Sequence, residues 1–148
     1  MTLRFTVPGD PVGKGRPRID TRGKRPRTFT PDRTVAYEHA VALASMAAHR
    51  GPPLGEPCVL LMLAVHQRPG RRFPDEGRQP FARKPDIDNV VKAIADGMQP
   101  QVIRDDTLIV EAHVRQVYAA VGESPRVEVA VLPWGADVAA VWDGMVAA

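Results

Sequence analysis

Lys84-Pro85-Asp86-Ile87-Asp88-Asn89-Val90-Val91-Lys92 places two carboxylates, a carboxamide and an ammonium group within nine residues, and a second acidic pair, Asp105-Asp106, follows downstream. Carboxylates held close together repel one another, and a divalent cation relieves that repulsion. Mg²⁺ suits such a cluster because it takes oxygen ligands, keeps several waters and binds phosphate oxygens directly. The chemistry this predicts is metal-assisted work on phosphate. A calcium hand is a poor match: counting from Asp86, position six is Val91 rather than glycine and position twelve is Gly97 rather than glutamate.

The elements that must position these groups are legible in the spacing. Ile87, Val90, Val91, Ile94, Ala95 and Met98 recur at helical intervals and predict one buried face. Asp88, Lys92 and Asp96 fall at i, i+4 and i+8 on the opposite stripe, which makes Asp88 and Lys92 neighbours. With Asp88 as the N-cap and Asp86 in the extended residue pair after Pro85, both acids are expected to face one volume at the helix start. A cap and an i,i+4 ion pair would explain the same residues without any chemistry. Gln99-Pro100 ends the helix, and Arg104-Asp105-Asp106-Thr107 enters an alternating strand from Leu108 to Tyr118. A helix followed by an adjacent strand returns the chain beside the helix and brings Asp105 or Asp106 toward the first pair. Which of the two is the third acid stays open.

At 148 residues, with 44% hydrophobic and 25% charged residues, the chain is expected to form a single domain over residues 1–148. No apolar run approaches the roughly 20 residues that span a bilayer, so no membrane partner and a cytoplasmic location are expected. Cys58 is the only cysteine, which leaves no intrachain disulfide and no cysteine zinc site.

The net charge of +3 hides an asymmetry. Residues 1–33 hold nine Lys or Arg against three Asp, residues 68–84 six basic against two acidic, and residues 85–148 four basic against ten acidic. Arginine outnumbers lysine 16 to 4. Guanidinium forks grip phosphate oxygens in pairs, so nucleic acid is the natural partner.

Leu3 to Val7 alternates as a strand, and Gly9 to Thr28 reads as a flexible basic arm in which neither a helix nor a central strand is expected. Its Gly13-Lys14-Gly15 lacks both the dinucleotide fingerprint and the P-loop signature, so no nucleotide cofactor is expected. Thr30-Pro31-Asp32 announces a helix to about His49 with Tyr37, Val41, Ala44 and Ala48 inward. Cys58 to Val65 is apolar throughout and predicts a central strand. Arg68 to Arg83 is a second arginine loop whose Phe73 and Phe81 either stack on bases or tuck into the core. Arg126 to Val131 predicts a strand. Ala136 to Val146 predicts a terminal helix that covers the sheet or a subunit partner.

The fold class expected is α/β (α+β), with a small mixed sheet of about four strands against two or three helices in the order β-α-β-α-β-β-α. The basic residues expected to meet DNA are Lys14, Arg16, Arg18, Arg25 and Arg27 in the first arm and Arg71, Arg72, Arg83 and Lys84 in the second.

Lys-Pro-Asp-Ile-Asp-Asn-Val-Val-Lys, then Asp96, then Asp-Asp-Thr-Leu-Ile-Val-Glu up to Glu111, resembles the RusA family of Holliday junction resolvases, and a Gly/Lys/Arg/Pro loop followed by a helix extends the likeness over most of the first 118 residues. The resemblance implies catalytic roles for Asp86, Asp88, Lys92 and Asp106, metal ligation by Asp86, Asp88 and Asp106 with Asp105 as a helper, Mg²⁺ or Mn²⁺ as cofactor, and a homodimer that cuts four-way DNA junctions by paired nicks. The chain departs from the family pattern in a short helix-to-Asp-Asp segment and in residues after about Gly135. Three other readings remain: a related nuclease of flaps or forks, a non-catalytic DNA-binding protein, and a hydrolase of small phosphate esters.

Overall fold

Alternation in Leu3–Pro8 (β1) turns Leu3, Phe5 and Val7 inward and leaves Arg4 and Thr6 in solvent. The computed structural model describes residues 2–70 and 73–147, so Arg71 and Arg72, two of the residues expected to meet DNA, lie outside the described residues. After β1 come Arg18–Asp20 (β2), Arg27–Phe29 (β3), Asp32–Ala48 (α1), Cys58–His66 (β4), Gln79–Pro80 (β5), Ile87–Met98 (α2), a 3-10 turn at Asp106–Leu108, Ile109–Tyr118 (β6), Arg126–Pro133 (β7) and Ala139–Val146 (α3). The main sheet is mixed and runs β1-β7-β4-β6-β5, while β2 and β3 form a separate two-stranded ribbon.

The expected α+β class holds, with five strands in the main sheet rather than about four. β4 is buried at every position, because it lies between β7, antiparallel to it, and β6, parallel to it, and both its faces are covered. Cys58, Leu60, Met62 and Ala64 face the cluster built with α1 and α2. Val59, Leu61, Leu63 and Val65 face the other cluster, which Met145, Val141 and Trp142 of α3 cover. The terminal helix therefore covers the sheet, and it starts at Ala139, where the Asp137 carboxylate accepts from the Ala139 N–H.

The first basic arm holds neither a helix nor a central strand, as expected, but residues 18–29 pair as a separate two-stranded ribbon, because Pro17 and Pro26 each stand just before a strand and remove no ladder donor. Asp20 closes the turn by accepting from the Arg22 N–H at 3.0 Å and from its guanidinium. In α1 the buried positions are Thr34, Tyr37, Val41 and Ser45, and Ala48 is exposed.

The second arm is likewise pinned. Arg68 donates to the Gly77 and Ala119 carbonyls, and Arg78 grips Glu123 through Nε at 3.0 Å and Nη2. Phe81 stacks flat on His66 at 3.4 Å and meets Tyr118 edge-on, and Phe73 also reaches Tyr118, so both rings tuck inward.

Hydrogen bonds from Arg78, together with those from the Ala120 N–H and Arg126, hold the Glu123 carboxyl down at about 2. A carboxyl depressed in the folded state stabilises it fully above the unfolded value near 4.5, and that contribution is lost as pH falls from there toward 2. Glu123→Gln is therefore expected to lower Tm at pH 7 by more than at pH 3. Equal losses at both pH values would show that the pair contributes no charge-dependent stability. Among the described residues, no helix is long and apolar enough to cross a membrane.

Candidate active site and nucleic-acid surface

The start of α2 is fixed from two sides. Behind it, buried His66 of β4 donates to the Gln116 side chain of β6, and the Gln116 amide donates to the Pro85 carbonyl at 3.0 Å. Burial lowers the His66 pKa, which suits a neutral donor there. Above it, the first basic loop packs so closely that a Cβ on Gly13 would stand 2.6 Å from Pro85 Cβ and 3.2 Å from Asn89 Cβ. The Lys14 N–H donates to the Asn89 carbonyl at 2.8 Å.

Asp86 is the N-cap residue of α2, with extended backbone and no side-chain capping bond, and Asp88 lies in the first turn. This shifts the expected cap by two residues. Neither acid is spent on the backbone, and both gain from the positive end of the helix dipole. The buried face is also rotated from the expected one. Val90, Ala93, Ile94, Ala95, Gly97 and Met98 are buried, while Ile87 is 45% exposed.

The parallel pairing of β4 with β6 requires a crossover, which α2 supplies, and the first turn after it lays Asp106 against the helix flank. Lys92 Nζ stands 2.6 Å from Asp106 Oδ2 and 3.0 Å from Asp96 Oδ1. The hydrogen bond to Asp106, then that to Asp96, raises the Lys92 pKa to about 12. The ammonium therefore stays charged near neutrality. Asp105 caps the 3-10 turn by accepting from the Thr107 N–H at 2.9 Å; bonds from Thr107, and more weakly the neighbouring Asp106 and Lys92, lower its pKa.

Asp88, Lys92 and Asp106 line one open cavity of about 410 Å³, together with Val91, Ala95 and Ile109. Asp86 lines a different one, of about 550 Å³, with Phe81, Arg83, Lys84 and Arg115. The two acids of the first motif thus line neighbouring cavities at the helix start. Lys84 approaches Asp86 at 3.7 Å. Arg16, Arg18, Arg25 and Arg27 are exposed along the loop and ribbon, as is Arg83. Lys14 is not free in this way, since Glu38 and Asp96 take its ammonium. Asp96 was visible in the sequence as the i+8 member of the charged stripe, but its link to Lys14 joins residues far apart in the chain and leaves no local signal.

A family model described as Endodeoxyribonuclease RusA matches residues 8–132. The chain belongs to the RusA family. The match runs from the end of β1 into β7, includes every candidate site acid and basic residue named above, and leaves α3 outside it. The chain is also 28% identical over 138 residues to Uncharacterized protein YqaN of Bacillus subtilis (strain 168), a similarity covering 87% of this chain and 94% of that protein. As a member of the RusA family, the protein is an endodeoxyribonuclease, a hydrolase of DNA phosphodiester bonds, in a family of Holliday junction resolvases that depend on a divalent metal.

The RusA-type acids fit such a metal in kind. Asp88 and Asp106 offer hard oxygen donors to one cavity, and Asp88 makes no hydrogen bond among the described residues. In this arrangement no three His, Cys, Asp or Glu side chains among the described residues converge on a single point. The Lys92 ammonium is the cation that Asp106 meets.

Proposed function

We propose that this protein resolves four-way DNA junctions by paired nicks with Mg²⁺ or Mn²⁺, and that Asp86, Asp88, Lys92 and Asp106 form the nicking site. The observation that carries the reading is the cavity lined together by Asp88 and Lys92 of α2 and by Asp106 in the turn before β6, where Lys92 pairs with Asp106, within the residues that match the family. Asp88 and Asp106 would hold the cation, with Asp86 beside them at the helix start. Once bound, the cation supplies Lewis acidity toward the scissile phosphate and charge balance for the leaving oxygen.

The chain's own residues do the rest. Lys92, charged at working pH, holds Asp106 in place and offers positive charge where a phosphate gains negative charge in the transition state. Arg83 and Lys84 stand on the wall of the cavity that contains Asp86 and bind the neighbouring backbone phosphates. Arg16, Arg18, Arg25 and Arg27 continue that contact along the ribbon. The cap to Thr107 occupies Asp105, and the place of Asp106 in the cavity with Asp88 supports Asp106 as the third acid, with Asp105 as its neighbour. A four-way junction has two-fold symmetry, so a homodimer gives each cut its own site.

The deciding experiment compares nicking of a synthetic four-way junction, a flap, a fork and linear duplex by the purified protein, with Mg²⁺, with Mn²⁺ and with EDTA. Metal-dependent, symmetric nicking of the junction in preference to the others is expected. Preference for flaps or forks would replace the junction reading with a broader branched-DNA nuclease. Junction binding without any metal-dependent product would end the catalytic reading.

A further inference from the structure

Lys14 sits at the centre of the most basic loop in the chain, yet its ammonium points into the protein. It contacts Glu38 of α1 and stands 3.1 Å from Asp96 Oδ2 of α2, and its side chain is 24% exposed. The other oxygen of Asp96 stands 3.0 Å from Lys92 Nζ, and Lys92 reaches Asp106 at 2.6 Å. One carboxylate is therefore shared by two ammonium groups from separate parts of the chain, and a continuous row of alternating charge runs Glu38, Lys14, Asp96, Lys92, Asp106.

Asp96 is poorly placed for helix stability alone. It lies in the last turn of α2, where the helix dipole disfavours a carboxylate, and a lysine four residues before an acid is the weaker order for an i,i+4 pair. Two ammonium groups offset that cost. A lysine on an exposed helix face otherwise samples many rotamers along its four-carbon stem. Asp96 and Asp106 together hold the Lys92 ammonium between them, and Lys14 fixes Asp96 in turn. The Lys14 backbone bond to Asn89 and its side-chain pair with Asp96 grip α2 at two points seven residues apart, about 10 Å along the axis.

We propose that Lys14 and Asp96 are positioning residues for Lys92, and that Lys14 is not a phosphate contact. The inference rests on the reading of Lys92 and Asp106 as part of the nicking site. Binding a phosphate through Lys14 would require giving up two ion pairs, while its neighbours Arg16 and Arg18 are exposed for that work.

The test measures, for the full-length protein, single-turnover nicking at saturating enzyme and junction affinity across a salt series. Lys14→Gln and Asp96→Asn are each expected to lower the nicking rate on the order of 10-fold, the range seen when a partner that orients a reacting group is lost. Junction affinity and its salt slope should stay at the wild-type values. The double variant should be no slower than the slower single one, because both act through Lys92. Lys14→Arg should restore most of the rate.

Weaker binding with a salt slope reduced by about 1 and an unchanged saturated rate would make Lys14 a phosphate ligand and overturn the proposal. So would an unchanged rate with unchanged binding. Loss of thermal stability that Lys14→Arg fails to rescue would assign the row to folding alone. If the wild-type protein itself nicks no branched DNA, the functional reading fails first, and that result is seen before any variant is compared.

Discussion

Asp88→Asn is expected to slow single-turnover nicking of a four-way junction by about 10²–10³-fold, the loss typical when one preorganised electrostatic group is removed from a reacting centre. Junction binding should persist, because the arginines of the ribbon and of Arg83-Lys84 are untouched. The substitution keeps shape and removes only charge. Asp88 makes no hydrogen bond among the described residues and is exposed, so the fold loses at most the helix-dipole contribution of about 0.3–1 kcal/mol. Tm should then move by no more than a few degrees. Asp105→Asn is the informative companion. Asparagine caps a turn as well as aspartate does, so a residue that only caps the Asp106–Leu108 turn should tolerate the change. If Asp88→Asn nicks within a few-fold of wild type while Asp105→Asn does not, the two acids have been assigned the wrong way round.

The second large effect concerns the helix pair that carries the site. A Cβ on Gly97 would stand 2.5 Å from Val41 Cβ and 3.0 Å from the Glu38 carbonyl oxygen, and both are anchored to the α1 backbone rather than to a flexible side-chain tip. Alanine in place of glycine gains about 1 kcal/mol of helix propensity. Overpacking costs about 1–3 kcal/mol and wins here, because α1 and α2 must separate to admit the methyl group. Gly97→Ala is therefore expected to be destabilising by up to about 2 kcal/mol net. Gly97→Val, with two further methyl groups and little propensity gain, should cost about 3 kcal/mol or more, lowering Tm by roughly 6–12 °C for a chain of this size. A rise in Tm for Gly97→Ala, measured by thermal melts monitored by circular dichroism, would show that the two helices have slack at this contact.

Gly97 also explains why part of the fold was hidden in the sequence. The apolar run at Cys58 to Val65 identified the central strand because every position is large, apolar and buried. The stripe on α2 was legible as a helix, and Val90, Ile94, Ala95 and Met98 are buried as expected, but the buried face also takes in Ala93 and Gly97, which carry little or no side chain to register as hydrophobic, and Gly97 makes the close contact with α1. Ile87 advertised a buried position and lies half exposed on the rim of the cavity that contains Asp86. The ribbon at Arg18–Asp20 and Arg27–Phe29 was masked by prolines that stand just outside its strands.

At the site, the acids and Lys92 were legible because they are close in sequence and have distinctive spacing. Their division between two cavities was not, since it depends on where β6 returns. Lys14 read as one more basic residue in a basic loop. Its partners, Glu38 and Asp96, are brought to it only by the packing of α1 and α2.

The position of β7 has a consequence for biosynthesis. β1 pairs with β7, and β4 has β7 on one side, so among the described strands the latest in sequence is inserted between the first strand and the central one. A nascent chain ending before Arg126 contains every acid and arginine of the site, but its sheet lacks the strand that joins β1 to β4. Such long-range pairing is slow to form, and the sheet closes only once β7 has been made. Until then β1 has no place in the sheet, and β4, which leads through the α2 crossover to β6, keeps one edge unpaired.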